Sequence, residues 1–147
     1  NNLENLINNK FLLLTYIALA INFAVSAFML TNDPILITTE KIYSIAGEAG
    51  AISCGPIIVV KENHKDDYEY LRHEYQHYCN QAVLTPIGHF MIYVFGAFEG
   101  FVRYGNWKMA YANNPLERDA FDKQNDGIEF KVFDWNLKQK KTITNGR

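Results

Sequence analysis

His73, Glu74 and His77 form an H-E-x-x-H motif, in which two imidazoles and a carboxylate are spaced for metal chemistry. Residues four apart lie on one face of an α-helix, so both imidazoles can reach the same metal ion. Glu74 follows the first histidine and is close enough to polarise a water molecule on that ion without being a ligand. The motif predicts metal-assisted hydrolysis. The alternative is two surface histidines on a polar helix face.

A catalytic zinc site needs a third protein ligand and an open fourth position. Cys79 points to the far side of the predicted helix and is excluded, and His64 lies in a charged loop. Glu117 is favoured because it opens a second predicted helix, which would hold its carboxylate rigidly. The same Glu could instead complete a capping box that serves helix stability alone. The remaining candidates are Glu99, Asp119, Asp122 and His89, the last in an apolar run that is more typical of a core histidine.

Two predicted helices position these groups. The motif helix runs from about Asp66 to Leu84, and the histidines lie opposite an apolar stripe suited to a core, formed by Leu71, Tyr75, Tyr78 and Ala82. The second helix starts with Asn114 as N-cap, Pro115 in the first position and Glu117 in the third, and it ends near Asn125.

The run from Phe11 to Leu30 contains no charged residue. Its length of twenty residues matches a bilayer core about 30 Å thick, which predicts a transmembrane helix. A signal peptide that is cleaved near Val25-Ser26-Ala27 and a buried core helix are the two alternatives.

Between the anchor and the motif helix, β-branched residues predict two or three short strands. Pro56 indicates that the strand over Ile57–Val60 begins there or lies at a sheet edge, and as an edge strand it could pair with an extended peptide. The later apolar run 87–102 is short for a membrane span and contains Glu99, so a buried or interfacial helix is expected. A single crossing there would place His77 and Glu117 on opposite sides of the membrane and exclude a shared metal.

The composition limits the partners. A net charge of −2 and a pI of about 6.1 give no basic surface for nucleic acid. Two cysteines are too few for a disulfide framework. The chain divides into a membrane anchor or signal over 1–32, a metal-binding domain over 33–127 and a C-terminal tail over 128–147. The tail contains one possible short strand, whose alternation breaks at Phe133, before a solvated end.

The segments L-R-H-E-Y-Q-H at 71–77 and N-N-P-L-E-R-D-A at 113–120 together resemble small bacterial zincin-like proteins of the gluzincin type. These combine H-E-x-x-H with a downstream N-P-x-E-x-x-A motif. The resemblance covers roughly residues 55–125. It implies His73, His77 and Glu117 as zinc ligands and Glu74 as the base. Better-known gluzincins have an Asp four residues after the third ligand, where this chain has Phe121. The carboxylate that would orient a ligand histidine is therefore unassigned, with Asp119, Asp122 and Asn113 as candidates.

These observations predict an α+β, zincin-like fold with an N-terminal transmembrane helix, a small β-sheet, the H-E-x-x-H helix and further helices. The expected function is that of a membrane-associated, Zn²⁺-dependent metallopeptidase acting on a peptide or protein. The expected location is a bacterial inner membrane, in contact with lipid through a single-pass anchor. Tyr104, Tyr111 or His89 would donate a hydrogen bond to the oxyanion. The alternative is a membrane-associated interaction protein that keeps this scaffold and cleaves nothing.

Overall fold

A five-stranded mixed sheet is the centre of the fold in the computed structural model, which describes residues 2–44 and 47–145. Its strands are β1 (Ile35–Thr39), β4 (Ala51–Cys54), β5 (Ile57–Lys61), β6 (Phe130–Asp134) and β7 (Gln139–Ile143). The spatial order is β4-β5-β1-β6-β7. The central strand β1 is parallel to both neighbours, and the outer pairs are antiparallel. A small separate hairpin pairs β2 (Tyr43–Ser44) with β3 (Gly47–Glu48).

Five helices accompany the sheet: α1 (Asn2–Thr31), α2 (Tyr68–Leu84), α3 (Pro86–Tyr104), α4 (Trp107–Ala112) and α5 (Pro115–Lys123). A 3₁₀ turn, Glu62–His64, precedes α2. The prediction of an α+β fold is therefore confirmed, as are the motif helix and the capped second helix. Asp67 caps α2 by accepting hydrogen bonds from the next backbone amides, and Asn114 caps α5 in the same way.

The core lies between α2 and the sheet. Leu71 and Tyr78 of α2 pack with Leu36, Ile58 and Val132, which alternate with more exposed residues along their strands. This confirms the apolar stripe of α2 as the face that enters the core, and it leaves the opposite face for the two histidines. Burying such side chains stabilises the fold by roughly 1.5–3 kcal/mol each.

The C-terminal segment differs from the expected tail. Residues 130–143 contribute β6 and β7, and β6 completes the sheet by pairing with β1. Phe130, Val132 and Asp134 point inward and are buried. The Asp134 carboxylate accepts a hydrogen bond from the Leu137 amide in the hairpin turn, which offsets part of the cost of burying it. Phe133, at which the apolar alternation breaks, is half-buried on the other face.

The Ile57–Val60 strand begins directly after Pro56, which was one of the two expectations, but it is not an edge strand. β5 lies between β4 and β1, and β4 is the edge on this side of the sheet, because Gly55 and Pro56 turn the chain into a hairpin. Gly55 has φ of +54°, a conformation that suits glycine. The two edges of the sheet are β4 and β7, and on β4 the Ser53 carbonyl accepts a hydrogen bond from Gln81 Nε2 of α2.

α1 is a single long helix whose apolar side chains are largely exposed. Its segment Ile7–Thr31 is long and apolar enough to cross a membrane, a property that a signal sequence near an N-terminus shares. The alternative of a buried core helix is wrong for this segment, because only its C-terminal end packs on the domain. There Ser26 Oγ donates to the Ala82 carbonyl and the Tyr78 hydroxyl donates to the Met29 carbonyl, at 2.5 and 2.8 Å.

The helix over Pro86–Tyr104 is not buried either. α3 leaves α2 at Thr85 with a change of direction of 113°, and most of its apolar side chains are exposed. Its inner face packs on α4 and on the start of α5 through glycines. A Cβ at Gly100 would lie 2.9 Å from Ala110 Cα, and one at Gly96 would lie 2.8 Å from Pro115 Cδ.

We expect Gly100→Ala to lower the free energy of unfolding by about 1–3 kcal/mol relative to Gly88→Ala, measured by urea or thermal unfolding in detergent. Both substitutions gain the same helix propensity on the same helix. At Gly88 the nearest atom to the new Cβ is Thr85 Oγ1 at an ordinary 3.4 Å, whereas at Gly100 it is the Ala110 backbone. Equal stability of the two variants would contradict the close approach of α3 to α4.

Candidate metal centre

The side chains of His73, His77 and Glu117 meet in the interior between α2 and α5. All three are buried, and their potential ligand atoms lie within 4.8 Å of one another. The His73 and His77 Nε2 atoms are 3.2 Å apart, Glu117 Oε2 is 3.2 Å from His73 Nε2, and Glu117 Oε1 is 3.5 Å from His77 Nε2. The three residues predicted as ligands are thus brought together.

These separations fit a tetrahedral ion. Ligand atoms about 2.0–2.1 Å from a tetrahedral zinc are about 3.3 Å from each other, close to the three observed distances. Glu117 Oε2 is buried within ion-pair distance of His73 Nε2, yet it makes no hydrogen bond of good geometry. A buried carboxylate oxygen without such a bond is costly, and a cation between the three groups would satisfy it. The residues present therefore fit a metal ion.

The electrostatics of the site favour a positive charge. Burial works against ionisation of Glu117, but His73 and His77 outweigh it and hold the pKa of this carboxyl well below its usual range. Burial likewise disfavours protonation of His77, but the Glu117 carboxylate outweighs it and raises the pKa of that imidazole. A buried carboxylate that stays ionised beside two imidazoles is the charge pattern of a cation site.

Glu117 does not act as a capping-box residue. The Asn114 amide, which such a residue would bind, donates instead to the Tyr111 carbonyl at 3.0 Å. The carboxylate points at the histidines. Asn114 itself fixes the start of α5 on α3, because its side-chain amide donates to the Tyr93 carbonyl at 2.8 Å and its oxygen accepts from the Leu116 amide.

A polar ladder along α2 positions α5. Arg72, Gln76 and Asn80 follow one another at four-residue spacing, and the Arg72 guanidinium donates to Gln76 Oε1 at 3.1 Å. Gln76 Nε2 and Asn80 Nδ2 each donate to Asp119 Oδ2 at 2.9 Å. Since Asp119 is two residues after Glu117, this ladder fixes the direction of the third ligand. This ladder was not predicted, although the four-residue spacing of Arg72, Gln76 and Asn80 is visible in the sequence.

Arg72 also binds the loop that follows α5. Its guanidinium makes a bidentate pair with Asp126, with donor–acceptor distances of 3.0 and 2.7 Å, and Arg72 is almost fully buried. Paired carboxylate and planar guanidinium groups hold a defined geometry. The hydrogen bonds from Arg72 hold the pKa of Asp126 below its usual range.

None of the side chains considered as partners of a ligand histidine has that role among the described contacts. Asp119 binds Gln76, Asn80 and Lys123, Asp122 is exposed, and Asn113 donates to the Met109 carbonyl. Where better-known gluzincins have an Asp, Phe121 packs edge-on against His73 with ring centroids 4.7 Å apart. At this position an aromatic ring therefore contacts His73 in place of a carboxylate.

Glu74 lies at the same site but outside the ligand cluster. It is buried, it lines the same cleft as His73, and it neighbours the backbone of Ser53 in β4. Burial raises the pKa of the Glu74 carboxyl, while the two imidazoles oppose the rise. A carboxylate whose proton affinity is increased in this way is a better proton acceptor near neutral pH.

Aromatic groups line the inner side of the centre. The His89 ring lies 5.6 Å from that of His77, and burial lowers the pKa of His89 to about 4, which keeps this imidazole neutral. Burial, together with the nearby Glu117 carboxylate, raises the pKa of both Tyr93 and Tyr111. Tyr93, four residues after His89 on α3, was not identified from the sequence. Tyr104, considered as an oxyanion donor, is not among the residues that line the cleft.

The other candidate ligands lie elsewhere. His64 stacks on Tyr70 with ring centroids 4.1 Å apart, and Glu99 forms an exposed ion pair with Arg103 at 2.9 Å. Cys79 lies beside the core on the opposite side of α2 from the site, as expected. Within residues 2–44 and 47–145, the His73–His77–Glu117 cluster is the one group that meets the spacing for a metal ion.

A cleft of about 690 Å³ gives access to this centre. One side is the first half of α2, and the other is formed by Trp107, Lys108 and Tyr111 of α4. Its rim includes Ala51 at the start of the edge strand β4 and the preceding residues 48–50. The cleft therefore joins a candidate metal site to the start of the edge strand β4, while further along this strand the Ser53 carbonyl accepts a hydrogen bond from Gln81 of α2. No protein-family model, curated protein or solved structure matches this chain.

Proposed function

We propose that the protein is a membrane-attached, zinc-dependent hydrolase of the zincin type, and that its substrate is a polypeptide. The observation that carries the proposal is the buried triangle of His73, His77 and Glu117, with sides of 3.2 to 3.5 Å, together with Glu74 beside it. A zinc ion supplies two things at such a site: it activates a water molecule at neutral pH and it polarises a carbonyl group.

The protein side chains have separate roles. His73, His77 and Glu117 hold the ion. Glu74, whose pKa is raised by burial, accepts the proton of the attacking water and passes it to the leaving amine. Tyr111 is the favoured donor to the developing oxyanion because it lies near Glu117 and lines the cleft. The backbone of Ala51, at the start of β4 and at the cleft, aligns the substrate by main-chain hydrogen bonds.

The membrane attachment is supported by the packing of α1. Asn22 Oδ1 accepts a hydrogen bond from the Ile87 amide at 3.0 Å, and Ser26 binds the Ala82 carbonyl. Cleavage of a signal sequence near Ala27 would remove both contacts and expose the start of α3. The retained helix is therefore favoured as a membrane anchor.

The full chain purified in detergent tests this proposal. We expect about one zinc per chain, cleavage of a quenched fluorescent peptide library, loss of cleavage on chelation and recovery when zinc is added back. Substoichiometric zinc, or cleavage that is unaffected by chelation, would overturn the metal chemistry. Stoichiometric zinc without hydrolysis of any peptide would favour an interaction protein that keeps the scaffold.

Zinc should also stabilise the fold, because the ion ties α2 to α5 in the folded state alone. At a free zinc concentration one hundred times the dissociation constant, binding adds about 2.7 kcal/mol to the free energy of unfolding. Thermal unfolding of the chelated protein with and without added zinc measures this. Magnesium, which prefers oxygen ligands, is the control ion and should produce no comparable shift.

A further inference from the structure

The outer face of α3 is an apolar surface without a partner in the described structure. Phe95 and Phe98 are 65% and 64% exposed, values that are unusual for aromatic residues of a water-soluble surface. They belong to a stripe at helical spacing that contains no charged residue: Ile87, Met91, Val94, Phe95, Phe98 and Val102. The opposite face of the helix carries His89, Tyr93, Gly96 and Gly100 towards the metal centre, α4 and α5.

The position of α3 relative to α1 indicates what covers this stripe. α1 and α2 run antiparallel, since Met29 is bonded to Tyr78 and Ser26 to Ala82. The chain then turns by 113° into α3, which therefore leaves the axis of α1 at a steep angle. When α1 lies along the membrane normal and α2 runs back along it, the 113° turn brings α3 nearer to the membrane plane than to the normal.

The depth of α3 also matches a lipid surface. The uncharged run 11–30 of α1 matches a hydrocarbon core about 30 Å thick, so its C-terminal end marks one edge of that core. Asn22, which receives the Ile87 amide, lies eight residues before the end of this run, or about 12 Å along the helix. The start of α3 therefore lies at the level of the apolar part of α1.

The polar groups near the stripe lie at its border and at the end of α3, where lipid headgroups would be. The Glu99–Arg103 ion pair lies along one border of the stripe, with both side chains exposed. Trp107 and Lys108 follow the C-terminal end of α3, and the Trp107 ring stacks on Phe101 with centroids 4.2 Å apart. Tryptophan and lysine are typical of the headgroup region.

We propose that the outer face of α3 docks on the lipid bilayer that α1 spans, so that two helices rather than one attach the domain. The proposal uses the membrane attachment given above and is independent of the zinc chemistry. The competing occupant is a second copy of the chain.

Spin labels on the full chain test this, in vesicles of equal parts phosphatidylcholine and phosphatidylglycerol. Cys54→Ser and Cys79→Ala remove the free thiols. Labels are then placed at Phe95→Cys or Phe98→Cys, and Lys131→Cys serves as the control because Lys131 is exposed on β6. Collisions with oxygen report lipid, and collisions with a neutral nickel chelate report water.

We expect the oxygen-to-nickel collision ratio to be at least several-fold higher at 95 and 98 than at 131. A ratio at 95 and 98 equal to that at 131 would overturn the proposal. So would dipolar broadening at 95 that disappears when labelled chains are diluted with unlabelled ones, because that identifies a second copy. The zinc content of the same samples separates the two proposals: full zinc with water-exposed labels rejects the lipid surface alone, and lipid-exposed labels without zinc reject the metal site alone.

Discussion

Replacing Glu117 by Ala should abolish stoichiometric zinc binding. Two of the three ligands would remain. Loss of a residue that only orients a ligand weakens metal binding roughly 10–100-fold, so loss of a ligand itself should raise the dissociation constant for zinc by more than that. The nearest alternative carboxylate on α5, Asp119, is already bound to Gln76 and Asn80, so it cannot replace Glu117 without breaking the ladder. The measurement is the zinc content per chain after dialysis against buffer with a known free zinc concentration.

Asp122→Ala is the matched control, because Asp122 is an exposed acidic residue of the same helix. It should retain the zinc of the unmodified protein. Circular dichroism of each variant verifies that α2 and α5 are folded. A folded Glu117→Ala protein with one tightly bound zinc would show that another group is the third ligand, and the proposed triad would then fail even if His77→Ala lost the metal.

Glu74→Gln should keep zinc and lose hydrolysis. The amide has the shape of the carboxylate and occupies the same buried position, but it cannot accept the proton of the attacking water. Loss of a positioned general base lowers rates by about 10²–10⁴-fold. The effect should fall on kcat, because Glu74 lies outside the ligand cluster and the cleft keeps its shape.

Zinc content and cleavage of the quenched peptide are measured on the same preparation, so that loss of metal is not mistaken for loss of the base. Glu129→Gln, a change at an exposed residue before β6, should leave both unchanged. Retention of full activity in zinc-loaded Glu74→Gln would remove Glu74 from the mechanism. Loss of zinc in Glu74→Gln would show that this residue supports the ligands rather than the chemistry.

The site was largely predictable because its signals are local. Spacing alone places His73 and His77 on one helical face, and the Asn114-Pro115 start makes the third position of α5 a rigid one. What spacing cannot give is the distance between two helices. The Arg72–Gln76–Asn80 ladder fixes this distance through its hydrogen bonds to Asp119 and Asp126. The two residues of each bond are 39 to 54 positions apart in sequence.

The sheet was less predictable because its pairings are distant. In β6 the alternation of apolar and polar residues that predicts a strand ends at Phe133. The partner strand, β1, lies about a hundred residues earlier in the sequence. Lys140 and Lys141 make β7 resemble a solvated tail, yet charged side chains are typical of an edge strand that must not aggregate. For α3, composition indicated an apolar helix, but whether its apolar side faces protein or an open surface depends on the 113° turn.

The 113° turn between α2 and α3 also fixes how far the candidate metal ligands lie from the start of α3. His77 lies two turns before the end of α2 at Leu84, so the metal ligands stand about 10 Å along the helix from the point where α3 begins. An extended chain rises about 3.3 Å per residue and covers this height in about three residues. If α3 lies in the lipid surface, this distance is measured from the level of α3, which the Asn22–Ile87 hydrogen bond places beside the apolar part of α1. Under the two proposals together, we expect the site to select a substrate by the distance of its scissile bond from that level more than by the side chains around the bond.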